Sequence, residues 1–328
     1  MPKWVIVEFD RERTVRIATL LEEMWLSRKS PFDDFFEPER QYMPKMFLGD
    51  ERLMRCWHFS LASINRFGKE AYERGRALSS LVVRKPYLID PLDPKSLERH
   101  RFEVLDEVIP FARLEKYRAR IDWWFDGLAR IRDEHGGDPG NIILDAPYCA
   151  EDWRANRAAV IGRYSEFMGI KQKIGQLAAA YSLGMDWTER QDDWAKWKKV
   201  PFIATDVWIM RMAKQLGMIS SSNTDIAEYV RDHISDYLCE ICFGEDLNSH
   251  AVTQALWHLG TIVCGKLRRN RKLRPRSSNY RHFCAASCPA YSFCQGVIPA
   301  NYDKTEDGRI VRSRSLKWNE MIPHPPLP

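Results

Sequence analysis

The chain has 328 residues, of which 45% are hydrophobic and 29% are charged, and this is the composition of a folded soluble protein. The length exceeds that of one average domain, and the net charge of +5 is only mildly basic. No apolar run reaches the length of a membrane span, and the start MPKWVIVEFD lacks the features of a signal peptide. We therefore expect two domains, no membrane segment and an intracellular location.

Apolar residues recur at helical spacing along most of the chain. The segment 4–9 fits either a short strand or the apolar start of the next helix. Proline-rich connectors occupy 28–47, 85–98 and 295–328, and we interpret the polar, tryptophan-rich segment 185–200 as an insertion. The predicted helices cover 14–27, 50–66, 99–116, 117–135, 150–166, 172–183, 206–217, 224–242 and 247–268.

A helical hairpin is predicted at 150–183, where two helices flank the turn Phe167-Met168-Gly169-Ile170-Lys171. Lys173 then lies in the first turn of the second helix, and Asp206 begins a later helix. Helix N-termini carry unpaired N–H groups and the positive dipole end, so they suit a phosphate. An amine and a carboxylate at two helix starts suit chemistry at a sugar carbon. An ordinary turn, a surface lysine and a capping aspartate are the alternatives.

The cysteines are distributed unevenly. Eight cysteines without a secretion signal argue against a disulfide framework, and three of them, Cys284, Cys288 and Cys294, lie within eleven residues. This clustering favours metal or cluster ligation, and reduced structural cysteines are the alternative. Eight Lys or Arg residues and no acid lie between Lys266 and Arg281. Such a basic block is typical of phosphate binding or of a solvated loop.

The hairpin, the segment PFIATDVWIMR around Asp206 and the last cysteines together resemble the helix-hairpin-helix superfamily of DNA glycosylases that includes endonuclease III and MutY. The resemblance covers 150–295, and it extends to 48–149 only in the order of the helices. The chain departs from the family where Lys171 replaces the second turn glycine and where Val207-Trp208 replaces Thr-His. Its cysteine spacing, C-x19-C-x3-C-x5-C, also replaces the family's C-x6-C-x2-C-x5-C.

The resemblance implies roles for the residues that match the family's motifs. Lys173 would attack C1′ of a flipped nucleotide and form a Schiff base, and Asp206 would stabilise the positive charge that develops on the sugar. Gly169 and Lys171 would bind a DNA phosphate. Asn65, at the end of an early helix, would help to fill the gap left by the extruded base.

The resemblance also implies a cofactor and a wider DNA contact. A [4Fe–4S] cluster would be held by Cys264, Cys284, Cys288 and Cys294, with zinc as the alternative metal. The basic block, which lies between the first two of these cysteines, would bind DNA through Lys266, Arg268, Arg269 and Arg271.

The expected fold is all-α with two helical domains. A helical barrel would span 48–184 and end in the hairpin, and 185–328 would carry the Asp206 helix, the cluster and the tail, joined by the arm 1–47. The implied function is a DNA base-excision glycosylase with AP-lyase activity. Its partner would be double-stranded DNA containing a damaged, modified or mismatched base, bound by a monomer. The alternatives are a monofunctional glycosylase that uses Asp206 and water, and a non-catalytic Fe–S DNA-binding module.

Overall fold

The computed structural model describes residues 7–33, 41–64, 71–97, 118–167, 170, 172–221, 228–264, 288–296, 302–304 and 310–312. The chain is mostly helical, in agreement with the predicted all-α class. It divides into a contiguous unit, Phe36–Ala204, and a discontinuous unit, which joins Met1–Phe35 to Thr205–Pro328.

The helices of the described residues are α1 (Arg11–Leu26), α2 (Glu51–Ile64), α3 (Ala71–Arg84), α4 (Arg118–His135), α5 (Asn141–Leu144), α6 (Trp153–Ser165), α7 (Gln172–Leu183), α8 (Gln191–Lys198), α9 (Val207–Gln215), α10 (Glu228–Gly244) and α11 (Ser249–His258). A π-helical turn, Leu259–Val263, continues α11. Short 3-10 turns cover Lys45–Phe47, Pro86–Ile89, Pro94–Leu97 and Tyr291–Phe293. Two antiparallel ribbons pair β1 (Val7–Phe9) with β2 (Ile219–Ser221) and β3 (Tyr302–Lys304) with β4 (Ile310–Arg312).

One difference from the predicted helices concerns the first half of the contiguous unit. Helix α3 is not among the predicted helices, and it packs against α2 and the 3-10 turn Pro86–Ile89. The predicted helix 99–116 lies outside the described residues.

The unit boundaries also differ from the expected domain boundaries at 47/48 and 184/185. The segment 185–200, expected as an insertion before the Asp206 helix, belongs to the contiguous unit. The reason is that Trp187, Trp194 and Trp197 are buried in the core of that unit. This segment is therefore a structural part of the helical core, and its interpretation as an insertion relative to the family that the chain resembles stays a prediction.

Helix α2 is the centre of the contiguous unit. Asp50 begins it by accepting a hydrogen bond from the backbone N–H of Leu53 at 2.9 Å. Cys56, Trp57 and Leu61 are completely buried, and α2 packs against α3, α4 and α7. A helix that is buried on nearly all sides lies in the middle of its fold, and this helix positions α7 and its hairpin.

The buried guanidinium of Arg55 on α2 fixes the tryptophan-rich segment in place. Its Nε and Nη2 donate to the two carboxylate oxygens of Asp138 at 2.8 and 2.7 Å, and Nη2 also donates to Glu189 at 2.9 Å. The guanidinium carbon lies 5.0 Å from the ring centroid of Trp187. A buried charge is stable only when it is paired, so this network orients the segment against α2.

The discontinuous unit is built on α1, α9 and α11, since α11 packs against both of the other helices. For the described part of the segment 4–9, Val7–Phe9, the structure shows a strand, because Phe9 pairs with Ile219. Asp10 then caps α1 by accepting from Arg13 N at 3.0 Å, and its own N–H donates to the Met218 carbonyl at 3.0 Å. The start of α1 is thereby joined to the chain that follows α9.

Candidate active site and cysteine site

The hairpin is formed by α6 and α7, and the two apolar residues of its turn that the structure describes are anchored in the core. Phe167 is 3% exposed and Ile170 is 5% exposed, and the N–H of Ile170 donates to the Phe167 carbonyl at 3.0 Å. The two helices pack against each other, and a Cβ added at Gly175 would lie 3.0 Å from the Cβ of Tyr164. The turn is therefore attached to a closely packed helix pair.

Arg130 on α4 holds the end of α6 as the chain enters the turn. Its Nη1 and Nη2 donate to the backbone carbonyl and the carboxylate of Glu166, both at 2.7 Å. Its Nε donates to Glu134 at 2.7 Å, and its guanidinium carbon lies 5.0 Å from the Phe167 ring centroid. Arg130 was not identified from the sequence. Its only sequence signal is an i, i+4 charge pair with Glu134.

Lys173 is the second residue of α7 and is exposed, as the sequence predicted for the first turn of this helix. Within the described part of the chain, its ammonium makes no ion pair and no hydrogen bond. The positive dipole end of α7 lies in the same turn. The side chain is therefore accessible to solvent, and its amine contacts no described partner.

Asp206 is the N-cap of α9, and its two carboxylate oxygens have different environments. The residue is 9% exposed, and its Oδ1 accepts from the backbone N–H groups of Trp208 at 2.8 Å and Ile209 at 2.9 Å. Among the described residues no group donates to Oδ2. One oxygen is therefore fixed by the helix, and the other can face a positive charge.

Helix α9 is buried from Ile209 to its end at Gln215, which gives Asp206 a rigid support. Ile209, Met210 and Ala213 are at most 1% exposed. On the side of the π-helical turn, a Cβ added at Gly260 would lie 3.1 Å from Met212 Cγ and 3.2 Å from Trp208 Cβ. Glycine therefore suits this close approach of the π-helical turn to α9, because a larger residue would push Met212 or Trp208 aside.

At the other end of α9, Gln215 brings two of the predicted cysteine ligands together. Its Nε2 donates to the sulfurs of Cys264 and Cys294, each at 3.5 Å. Gln215 is 2% exposed, and its Oε1 is buried without a hydrogen-bond partner among the described residues. The sulfur of Cys294 also donates to the Gly296 carbonyl at 3.3 Å. Burial raises the pKa of the Cys294 thiol, and the hydrogen bond from Gln215 partly opposes that rise.

Arg13 of α1 attaches the Cys294 segment to the end of α9. Its Nε donates to the Leu216 carbonyl at 2.7 Å, and its Nη2 donates to the Phe293 carbonyl. The N–H of Gln295 donates to the Gln215 carbonyl at 2.9 Å. Neither Arg13 nor Gln215 was identified from the sequence, because both act through contacts between distant segments.

The remaining predicted site residues divide into two groups. Cys288 is half-buried at the start of the segment that ends in Cys294. No group of three His, Cys, Asp or Glu residues that could hold a metal ion occurs among the described residues. The following lie outside the described residues, and their roles stay predictions: Asn65, Gly169, Lys171, Lys266, Arg268, Arg269, Arg271 and Cys284.

Comparison with known proteins finds no family model, no curated protein and no solved structure that matches the chain. None of the described helices is long and apolar enough to cross a membrane.

Proposed function

We propose that the protein is a DNA base-excision glycosylase with AP-lyase activity, acting on double-stranded DNA that contains a damaged, modified or mismatched base. The observation that carries the proposal is the carboxylate of Asp206. It is held at the start of a buried helix by Oδ1, while no described group donates to Oδ2. A fixed carboxylate with a second oxygen available can stabilise the positive charge that develops on a sugar when its base leaves.

Lys173 supplies the nucleophile in this proposal. Its amine, as the free base, forms a bond to C1′ while the bond from C1′ to the base nitrogen breaks and the base leaves with the electron pair. Opening of the sugar ring then gives an imine, and loss of the C2′ proton expels the 3′ phosphate. The exposure of Lys173 and its place in the first turn of α7 support this role.

A [4Fe–4S] cluster fits the chemistry of the residues at the other end of α9. The fit rests on Cys264 and Cys294, whose sulfurs each accept a hydrogen bond from the side-chain nitrogen of Gln215. Together with Cys284 and Cys288 they would hold the cluster, and zinc is the alternative metal. The bound group would cross-link the end of α11 to the Cys294 segment and supply a one-electron redox centre. Iron and sulfide in near-stoichiometric amounts are expected in brown protein, and one zinc in colourless protein prepared without oxygen would exclude the Fe–S assignment.

The test is incubation with a panel of duplexes that each carry one modified or mismatched base, read as strand cleavage with and without alkali. The same reactions are repeated with borohydride, which reduces the imine to a stable covalent adduct. Lys173→Gln should lose the adduct and the strand cleavage but retain DNA binding. Lys199→Gln, which changes another exposed lysine of the contiguous unit, is the matched control. It should retain the adduct, the strand cleavage and DNA binding.

Each contrary outcome would change the proposed function in a different way. An adduct that persists in Lys173→Gln would show that another amine is the nucleophile. Base release without an adduct, if it depends on Asp206, would favour the monofunctional glycosylase. DNA binding without base release on any duplex would favour the non-catalytic Fe–S module.

A further inference from the structure

We infer that Gln215 is the residue that holds the metal-bound sulfurs of Cys264 and Cys294, donating one N–H of its carboxamide to each of them. This inference rests on the metal site of the proposed function and assigns it a residue that is not a ligand. Gln215 would orient the two thiolates and tune the electron density on their sulfurs.

The geometry at the carboxamide is the first argument. An amide NH2 group has two N–H donors, and the Gln215 nitrogen lies 3.5 Å from each of two sulfurs. The residue is 2% exposed, so water does not replace these partners. Its Oε1 has no described hydrogen-bond partner, and burying a polar atom in this way costs free energy. A leucine or methionine would avoid that cost, so the amide needs a compensating role at this position.

The chemistry of sulfur is the second argument. A neutral thiol is a weak hydrogen-bond acceptor, whereas a metal-bound thiolate carries negative charge and accepts strongly. The thiol of Cys294 donates its proton to the Gly296 carbonyl at 3.3 Å, and a metal ion would replace that proton. The two N–H groups of Gln215 would then each meet an anionic sulfur. Groups that hydrogen-bond to metal ligands fix their orientation and shift the reduction potential of a cluster.

The third argument is that three segments are built to keep the carboxamide at this position. The N–H of Gln295 donates to the Gln215 carbonyl at 2.9 Å, directly beside Cys294. Gly217 has φ +73°, a backbone conformation that favours glycine, and a Cβ there would displace the side-chain nitrogen of Gln295, which lies 2.4 Å away. On the other side, Cys264 directly follows the π-helical turn that Gly260 seats against α9. Turns of this kind are frequent at functional sites.

The experiment compares the full-length wild type with Gln215→Met and Gln215→Glu. Methionine fills a similar volume without a donor. Glutamate keeps the shape but replaces both donors with a negative charge. Gln176→Met, which changes another buried helix glutamine in the contiguous unit, is the matched control. Iron, sulfide and zinc per chain are measured first, together with the visible absorption and the far-ultraviolet circular dichroism.

If the wild type holds an iron–sulfur cluster, Gln215→Met should shift its reduction potential to a more negative value, and Gln215→Glu should lose most of the cluster. If it holds zinc, both variants should release it to a chelator several-fold faster than the wild type. Gln176→Met should match the wild type in each assay. Because Gln215→Glu keeps the size of the side chain, it decides the test if Gln215→Met does not fold.

Two results would overturn the inference. One is a wild type that binds neither iron nor zinc. The other is a pair of Gln215 variants with wild-type metal content, potential and release rate. Neither measurement depends on base release. A protein whose metal depends on Gln215 but which acts on no duplex would contradict the proposed function alone. A protein that acts as a glycosylase, but whose metal content, potential and release rate do not depend on Gln215, would contradict this inference alone.

Discussion

Asp206 and Gln215 lie at the two ends of the same nine-residue helix, α9. The carboxylate of Asp206 accepts the N–H groups of the first turn, and the carboxamide of Gln215 contacts the sulfurs of Cys264 and Cys294. From Ile209 to Gln215 the helix is buried, so this part cannot shift without repacking the core around it. The cysteine site and the candidate catalytic carboxylate are therefore mechanically joined in the discontinuous unit.

The basic block between Cys264 and Cys284 is predicted to bind DNA phosphates. Each contact releases counterions, so replacing four of its arginines by serine should weaken binding to all sequences alike and flatten the salt dependence. If each arginine contacts one phosphate, the slope of log K against log salt should fall by about 3 to 4. The variant changes Arg268, Arg269, Arg271 and Arg274.

The measurement is fluorescence anisotropy of a labelled duplex at several salt concentrations. A variant with the same change in net charge at four exposed cations of the contiguous unit is the control, namely Lys45, Arg84, Lys95 and Lys199. Equal slopes for the wild type and the block variant would mean that the block is a solvated loop.

Features that depend on local sequence were predicted most accurately. Asp206 was placed at a helix start, and it caps α9. The apolar face of the helix 172–183 was predicted from its spacing, and Ile174, Ala178 and Tyr181 are buried. Both results follow from contacts within one or two turns of helix, which a sequence window contains.

Features that depend on distant segments were missed. The segment 185–200 was interpreted as an insertion because it is polar and separates the hairpin from the Asp206 helix by more than the resembled family allows. Its contribution to the core was not predicted, since Trp187 is buried beside Arg55, which lies more than a hundred residues earlier. Gln215 gave no signal because a lone glutamine is common on helices. Its role depends on two sulfurs that lie 49 and 79 residues further along the chain.

The Arg55 network should contribute strongly to the stability of the contiguous unit. Arg55→Met removes a cation that is 3% exposed and leaves Asp138 without its cationic partner. Loss of one member of a buried charge network costs about 3 to 5 kcal/mol, so the free energy of unfolding in urea should fall by that amount. Arg132→Met, which removes an exposed pair with Asp133, is the control and should change it little. A small effect of Arg55→Met would mean that the aromatic packing alone holds the segment.

The pair of Arg52 and Asp90 should make stability depend on pH. Burial raises the pKa of Asp90, but hydrogen bonds from Arg52 and Leu92 and the charge of Arg52 outweigh it, so the pKa is lowered. A carboxylate with a lowered pKa stabilises the fold above its ordinary pKa, and this contribution is lost as the pH falls through the folded value.

Asp90→Asn should therefore lower the free energy of unfolding by about 2 kcal/mol at pH 7, as expected for hydrogen bonds to a charged partner. The difference from the wild type should shrink as the pH falls below the ordinary aspartate range, because the wild-type carboxyl becomes neutral as well. Urea unfolding from pH 7 down through the ordinary aspartate range measures this difference in the free energy of unfolding. Glu151→Gln, at an exposed turn, is the control. A difference that is constant with pH would assign the loss to packing and exclude the charge as its cause.

Asp206 is proposed to act twice, as a helix cap and as the catalytic carboxylate, and two substitutions separate these roles. Asp206→Asn keeps an oxygen that can accept from Trp208 and Ile209, so stability should stay near that of the wild type. Asp206→Ala removes the cap and should cost about 1 kcal/mol in the free energy of unfolding. Both variants remove the negative charge opposed to the cationic sugar, so single-turnover base release should fall by about 10²- to 10³-fold in each. If base release by Asp206→Asn matches that of the wild type while Asp206→Ala is impaired, Asp206 serves only as a cap, and the proposed catalysis must use another carboxylate.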